Sequence, residues 1–583
     1  VLSESSPEVP SWGLGHVRLA ILDLSPAGLQ PMASEDGRRW IVFNGEVYNH
    51  VELRQELEAL GHRFDSTTDT EVILASYREW GDDCVTRFNG MFAFVLVDLD
   101  TARVFVARDR LGVKPLYLWR FPSGLAVVSE PKQLLEFPDF RPRINRLHAV
   151  DFLIDGVLDH EPDQCFFDGI EALSPGHTLS WPLDEPSRAV AARCYWEPQR
   201  GSRETSWRSA VEETGFLLRD AVRIRLRSDV PVGSCLSGGL DSSSIVGLVS
   251  RELGLRMNTF SSCFEDARFD ERRYIHAVNR ECKTVGHEVF PSVSALMEDL
   301  EKLAYHQDEP FTSSGIYAQW CVMEAARRNS VPVLLDGQGG DELLCGYRKY
   351  FFFHLRQLVA AGRYGAAAVH LMRMVLRGDK GLMNWQRGQR YLPAWLRKNR
   401  DAAAPLLMPE WRALARHAWS DAMTGVTSIH ENQWADLRHW SLPSLLRYED
   451  RNSMAHSIET RLPFLDYRLV EHCLSLRESF FFKEGRSKRL LVATVGDALP
   501  VEVRQRRTKM GFETPGEVWM RERLGEVLEK RVRTSERLAC ILDTTSAGDA
   551  FAAYRAGSRA WTDLFLFRVA SLAVWLDTFK VDV

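Results

Sequence analysis

Apolar residues in the first third of the chain come in short runs and alternations bounded by turn residues. Residues 40–43, 91–98 and 103–109 read as strands, while residues 51–60 keep helical spacing that stops at Gly61. Up to about Trp181 this pattern predicts a β-rich layer of antiparallel sheets with one strong helix. From about Trp207 the rhythm changes to long helices alternating with short apolar strands at 229–236, 257–264, 285–289 and 331–335. That alternation predicts a parallel sheet covered by helices on both faces, with a ligand at the strands' carboxyl ends. The Pro-rich, charged stretch 182–188 lies between the two patterns, which divides the chain into domains at 1–190 and 200–583.

Composition narrows the class without naming a function. At 583 residues the chain is too long for one core. Apolar content of 45% and charged content of 26% are those of a soluble globular protein. A net charge of −6 gives no reason to expect nucleic acid. The ten cysteines lack C-x-x-C spacing, which argues against zinc and a disulfide framework and predicts a reducing cytoplasm. The longest apolar run, 564–576, is interrupted by Arg568 and reads as a buried terminal helix, so no membrane span is expected.

The chemistry concentrates in Ser237-Gly238-Gly239-Leu240-Asp241-Ser242-Ser243, between a buried strand and an apolar-periodic helix. Adjacent glycines let backbone approach an anion, hydroxyls add donors, and the helix start supplies unpaired N–H groups. The loop lacks the Lys of the G-x-x-x-x-G-K-[ST] phosphate loop. Instead it resembles the loop of ATP pyrophosphatases, in which an acid attacks the α-phosphorus of ATP. That resemblance implies nucleotide or pyrophosphate contacts at Leu236, Ser237, Gly238, Gly239, Asp241, Ser242, Ser243 and Ser262. It extends to a second glycine turn, Asp336-Gly337-Gln338-Gly339-Gly340-Asp341-Glu342, with Gly337 and Gly339 as contacts and Asp241 and Asp341 sharing Mg²⁺. Lys509 matches a catalytic lysine that steadies charge on the pyrophosphate, and Lys488 is a second candidate for phosphate binding.

Four N-terminal segments extend the resemblance: Gly15-His16-Val17-Arg18, Phe43-Asn44-Gly45-Glu46-Val47-Tyr48, Thr68-Asp69-Thr70-Glu71 and Arg108-Asp109-Arg110-Leu111-Gly112-Val113-Lys114. They are similar to the class II glutaminase domain of glutamine-hydrolysing asparagine synthetases. The resemblance implies that Arg18 grips the carboxylate of glutamine, Asp69 and Glu46 meet its ammonium, and Asn44 and Gly45 form the oxyanion hole. Asn44-Gly45 taken alone is also a hairpin-turn signal. Family members that hydrolyse glutamine do so with an N-terminal cysteine, whereas this chain begins at Val1 and has no cysteine before Cys84. The survival of the glutamine-gripping residues predicts a chain that lacks its first strands rather than a glutaminase kept as scaffold.

The implied fold is a two-domain α/β protein, an N-terminal Ntn-type αββα sandwich followed by a parallel-sheet ATP-pyrophosphatase domain with added helices. Compact members are shorter between the motifs, so the stretch at about 350–440, with helical spacing over 351–376, reads as a helical insertion. The implied reaction adenylates a small carboxylic acid, then forms an amide with ammonia from glutamine, releasing AMP and pyrophosphate. Many asparagine synthetases have a Glu where this chain has Gln338, and an amide is no base, so the acid is left open between aspartate and another. Residues 447–466 match the family's helix beside the active site, and Glu449 within them either faces Gln338 and takes over as the catalytic base or is a structural carboxylate paired to Arg447 or Arg451. An amide-forming cyclase of the β-lactam synthetase or lasso-peptide type, and a pseudoenzyme scaffold, are the alternative readings. Retention of Arg18, Asn44, Glu46 and Asp69 argues against the cyclase. A homodimer is an expectation from resemblance alone.

Overall fold

A computed structural model describes the chain except residues 1, 7–8, 123, 186–187, 189, 202, 377–403, 416–427, 483–486 and 507–513. The first half carries a hairpin of β1 (Leu2–Ser6) and β2 (Val9–Leu14) and two further antiparallel sheets. The larger is ordered β11 (Arg193–Cys194), β10 (His177–Pro182), β6 (Arg103–Arg108), β5 (Gly90–Asp98), β4 (Arg39–Val47), β3 (Met32–Ala33). The smaller is ordered β8 (Gly124–Val128), β7 (Tyr117–Phe121), β9 (Ile170–Ala172).

Period-2 alternation assigns the faces of these sheets. In β5, Phe92, Phe94 and Leu96 pack with Leu53, Leu57, Val72 and Ile73 of the helices His50–Ala59 and Asp69–Trp80. Ala93 and Val97 face the other way and pack with Leu118 and Val127 of the smaller sheet. The outer face of that sheet meets the helices Arg146–Ile154 and Asp563–Phe579 through Tyr117, Ala126, Ala149 and Phe152. The layers are therefore α, β, β, α, and the last is shared with the chain's C-terminal end. Three helices replace the single one expected, because Thr68 caps Asp69–Trp80 through the Glu71 N–H and Val72 and Ile73 bury its inner face.

In the second half five parallel strands are ordered β14 (Val285–Val289), β13 (Asn258–Ser262), β12 (Val232–Cys235), β15 (Val333–Leu335), β16 (Glu459–Arg461). The first strand in sequence lies between β13 and β15, so the strand order reverses at β12. In an open α/β sheet a ligand lies beyond the carboxyl ends at such a reversal. Helices Lys349–Ala360 and Tyr364–Leu376 form where the spacing over 351–376 is helical, and residues 377–403 and 416–427 of the expected insertion lie outside the described residues.

The fifth strand departs from the sequence reading of 447–466 as helix. Helix Leu442–Ala455 stops, Ser457 takes φ +53, and β16 pairs with β15 before Pro463. Polar Glu459-Thr460-Arg461 has no apolar alternation to announce a strand, yet all three are buried.

The two halves are docked through buried charge. Lys114 meets Asp450 at 3.2 Å, Glu46 meets Arg461 at 3.2 Å, and Asn89 donates at 2.9 Å to Asp466, which Arg225 of its own half also holds. The chain's end returns to the first half: Asp582 accepts from the Ile144 N–H at 3.0 Å and donates to the Pro142 carbonyl at 2.8 Å. Trp575 packs its ring 5.6 Å from Phe166 and 5.0 Å from Phe167.

Candidate active sites in the two halves

Two glycine loops leave adjacent strands at the reversal. Gly238 sits at φ +67 after β12, and a Cβ there would lie 2.7 Å from Tyr274 Cβ, so the turn requires glycine. Helix Leu240–Gly247 starts at once, capped by Gly239. The hydroxyls of Ser237 and Ser242 are 3.1 Å apart, and Ser242 Oγ accepts from the Ser237 N–H at 3.2 Å. Leu236 and Ser243 are buried behind the loop, with Leu236 donating its N–H to the Phe260 carbonyl at 2.9 Å. Ser262 closes β13 beside them.

The loop after β15 presses on the first. A Cβ on Gly337 would fall 2.8 Å from Ser242 N, and one on Gly340 would fall 2.8 Å from Asp241 Cγ. This contact sets Asp241 and Asp341 about one cation. The ammonium of Lys488 ion-pairs with Asp241 and lies 2.6 Å from Asp341. Burial would lower the Lys488 pKa, but the two carboxylates outweigh it and the group stays strongly cationic. Two carboxylates converging on a single positive charge are the donor set a Mg²⁺ ion uses when phosphate and water complete its shell. Among the described residues no cluster of three or more His, Cys, Asp or Glu offers a metal a fuller cage.

Lys509 lies outside the described residues. The chain approaches it from Arg506, which donates to the Gly238 carbonyl at 2.9 Å and stacks over Tyr274 at 4.4 Å.

Glu449 is 2% exposed and accepts from Gln319 Nε2. Thr460 and Asp336 lie beside it. Burial, with Asp336 next, raises the Glu449 carboxyl well above the usual range, and burial raises Asp336 as well. Gln338 stands two residues beyond Asp336 on the same turn and is partly exposed.

In the first half the expected glutamine residues come together. Arg18, Asn44, Gly45, Glu46 and Asp69 all line one cavity of about 100 Å³, with Thr70, His16 and Lys114. The Arg18 guanidinium is fixed by the carbonyls of Leu22 at 2.9 Å, Ser25 at 3.0 Å and Asp23. Asn44-Gly45 is no hairpin turn: both lie inside β4, where Gly45 pairs with Phe92 and a side chain would strike the Met91 carbonyl. Asp69 accepts the Val47 N–H at 2.8 Å. Burial and the charge of Asp69 push the Glu46 carboxyl well up, and burial with Glu459 lifts Asp69 to about 7.

Several lining residues escape the sequence reading. Met454 and Glu459 come from the second half, and Lys114 from the loop after β6. Each lies in a segment that looks informative in sequence, yet only the docking of the halves turns these side chains toward the cavity. Asp336 opens the second glycine loop, and nothing in the sequence places it against Glu449.

Known proteins divide the chain in the same way. Residues 214–577 match the asparagine synthase family, and residues 7–196 match the glutamine amidotransferase domain family. Asparagine synthetase [glutamine-hydrolyzing] 3 of Bacillus subtilis is 31% identical, over 87% of this chain and 82% of its own. Asparagine synthetase [glutamine-hydrolyzing] 1 of the same organism is 28% identical over 91% and 84%. A Gibberella zeae protein named amidase chry2 is 26% identical over 89% and 84%.

Proposed function

Because the chain belongs to the asparagine synthase family and carries a glutamine amidotransferase domain, we propose that it is an ATP-dependent amide-forming ligase. The observation that carries this reading is the pair Asp241 and Asp341 gathered about one cation at the sheet's reversal point. A carboxylate oxygen of the substrate acid attacks the α-phosphorus of ATP, the bond to the β-phosphate oxygen breaks, and pyrophosphate leaves. The Ser237–Ser243 loop binds the leaving pyrophosphate through backbone N–H groups and hydroxyls. Asp241 and Asp341 would hold Mg²⁺, which neutralises charge on the phosphates when bound. Lys488, and Lys509 by resemblance, add positive charge on the same side.

Ammonia then attacks the acyl carbon of the adenylate and AMP departs. The nitrogen must lose a proton, and the Gln338 amide has no basic site to take it. Glu449 is a buried carboxyl group on helix Leu442–Ala455 beside Asp336, and burial with the charge of Asp336 raises it well above the usual range. In the first half Arg18 takes the carboxylate of glutamine, Glu46 and Asp69 its ammonium, and Asn44 with Gly45 the oxyanion. The absence of a carboxylate at position 338 leaves aspartate one candidate acid among others, and one relative carries a name other than asparagine synthetase.

The test is isotope exchange between ATP and pyrophosphate across a panel of acids, aspartate included, followed by amide formation with ammonium chloride. Exchange stimulated by one acid, with AMP as the nucleotide product, is the expected result. Release of ADP and phosphate, or exchange with none of the acids, would sink the reading.

A further inference from the structure

Strand β16 is the edge of the parallel sheet and a wall of the other half's cavity. Its side chains alternate. Thr460 lies beside Glu449 on the synthetase side. Arg461, 0% exposed, lies 2.7 Å from Glu459 and 3.2 Å from Glu46, and Glu459 itself lines the amino-acid cavity. Three carboxylates on three elements therefore surround one end of the cavity: Glu46 from β4, Asp69 from helix Asp69–Trp80 and Glu459 from β16.

The cations nearby do not balance them. Arg461 stands between two of the acids. Lys114 lines the cavity, but its ammonium is 3.2 Å from Asp450. Arg18 is held on backbone carbonyls, and His16 is bonded to the Phe43 carbonyl at 3.1 Å. The Tyr48 ring, 5.5 Å beneath the Arg461 guanidinium, carries no charge. The cluster is short of a positive charge that a bound amino acid's ammonium would supply.

We propose that Glu459, a residue of the synthetase half, is a specificity-determining member of the glutamine pocket, forming with Glu46 and Asp69 the socket for the substrate's α-ammonium. The proposal rests on the glutamine reading of this cavity. It makes the pocket a composite, complete only when β16 is docked against β4. Burial, with Glu459 adding to it, lifts Asp69 to about 7, and burial with Asp69 pushes Glu46 well up, so these acids take up a proton near neutral pH when no ammonium lies among them. The incoming ammonium replaces that proton, so glutamine binds more tightly as pH rises through neutrality.

Calorimetry on the full chain tests this, with glutamine titrated between pH 6 and 8.5 into wild type, Glu459→Gln and Asp69→Asn. Wild type should release close to one proton per glutamine near pH 7, read from two buffers of different ionisation enthalpy. Glu459→Gln should bind about tenfold more weakly at pH 8, since a charge-assisted contact is lost. Its pH midpoint should move down by about one unit, because a neighbouring anion is gone. A merely structural role would leave that midpoint in place. Should Glu459→Gln fail to fold by its melting curve, Glu459→Asp and the wild-type proton count take its place. Unchanged affinity and midpoint in Glu459→Gln, with binding weakened in Asp69→Asn, would overturn the role of Glu459 alone. If Asp69→Asn is also silent, the glutamine reading itself falls.

Discussion

Glu449 and Asp336 are both buried where β15 gives way to the second glycine loop, and the charge of Asp336 adds to burial in raising the Glu449 carboxyl well above its usual range. Two acids this close share a proton and titrate as a pair, one member well above the usual carboxylate range.

If the pair receives the proton released when ammonia attacks, Glu449→Gln should lower ammonia-dependent amide formation by about 100-fold or more. Exchange between ATP and pyrophosphate, which needs no base, should persist. The base works ionised, so the wild-type rate should rise with pH through the pair's upper pKa. Asp336→Asn removes the neighbouring charge and should move that rise to lower pH. Full amide synthesis by Glu449→Gln would exclude this role.

Glycines of the two loops should differ in a way that space alone dictates. A Cβ at Gly340 meets the Asp241 carboxyl group at 2.8 Å, whereas one at Gly239 meets only Ser237 Oγ, at 3.2 Å. Gly340→Ala should cost about 1–3 kcal/mol and abolish pyrophosphate exchange, since Asp241 must shift. Gly239→Ala should melt within a few degrees of wild type. Equal loss in both variants would show that the loops do not rest on each other as described.

Asp341→Asn should raise the Mg²⁺ concentration needed for half-maximal pyrophosphate exchange by about tenfold or more, because one of two anionic ligands becomes neutral. Lys488→Met should leave that Mg²⁺ requirement low while weakening ATP binding, since it removes a competing cation as well as a phosphate contact. A Mg²⁺ titration of exchange activity separates the two effects.

Acid should loosen the packing of the second half around Asp466. Burial would raise the Asp466 pKa, but Arg225 and Arg468 hold it down at about 2. A carboxyl whose folded pKa is depressed contributes stability in full above its unfolded value, near 3.8. That contribution fades as pH falls from about 5 toward 2. Asp466→Asn should cost about 3 kcal/mol at neutral pH, read from denaturant unfolding, and should flatten the acid limb of the stability profile.

The sequence made the signature loop, the glycine turn after β15 and four of the five parallel strands legible, because each pairs an apolar run with turn residues. It also placed Arg18, Asn44, Gly45, Glu46 and Asp69 in one pocket, where the structure has them together. What it could not convey was buried charge. Glu459, Arg461, Asp336 and Lys114 look in sequence like solvated residues, and hydropathy counts them as surface. Lys114 and Arg461 are inside because acids across the join pair with them, over more than 300 residues in both Lys114–Asp450 and Glu46–Arg461. Glu459 is held by Arg461 of its own strand, and Asp336 lies beside Glu449. The helix Asp69–Trp80 is hidden for a simpler reason: the polar run Thr68-Asp69-Thr70-Glu71 at its start masks the cap that Thr68 supplies.

The return of the C-terminal end to the first half bears on how the molecule comes apart. The last helix and Asp582 are fastened to residues 142–167, while the covalent connection between the halves runs through the stretch after β10. A protease cutting that connection would open the polypeptide without parting the particle. The two fragments would still co-elute at the mass of the uncut chain, held by the tail and by the buried charges of the join.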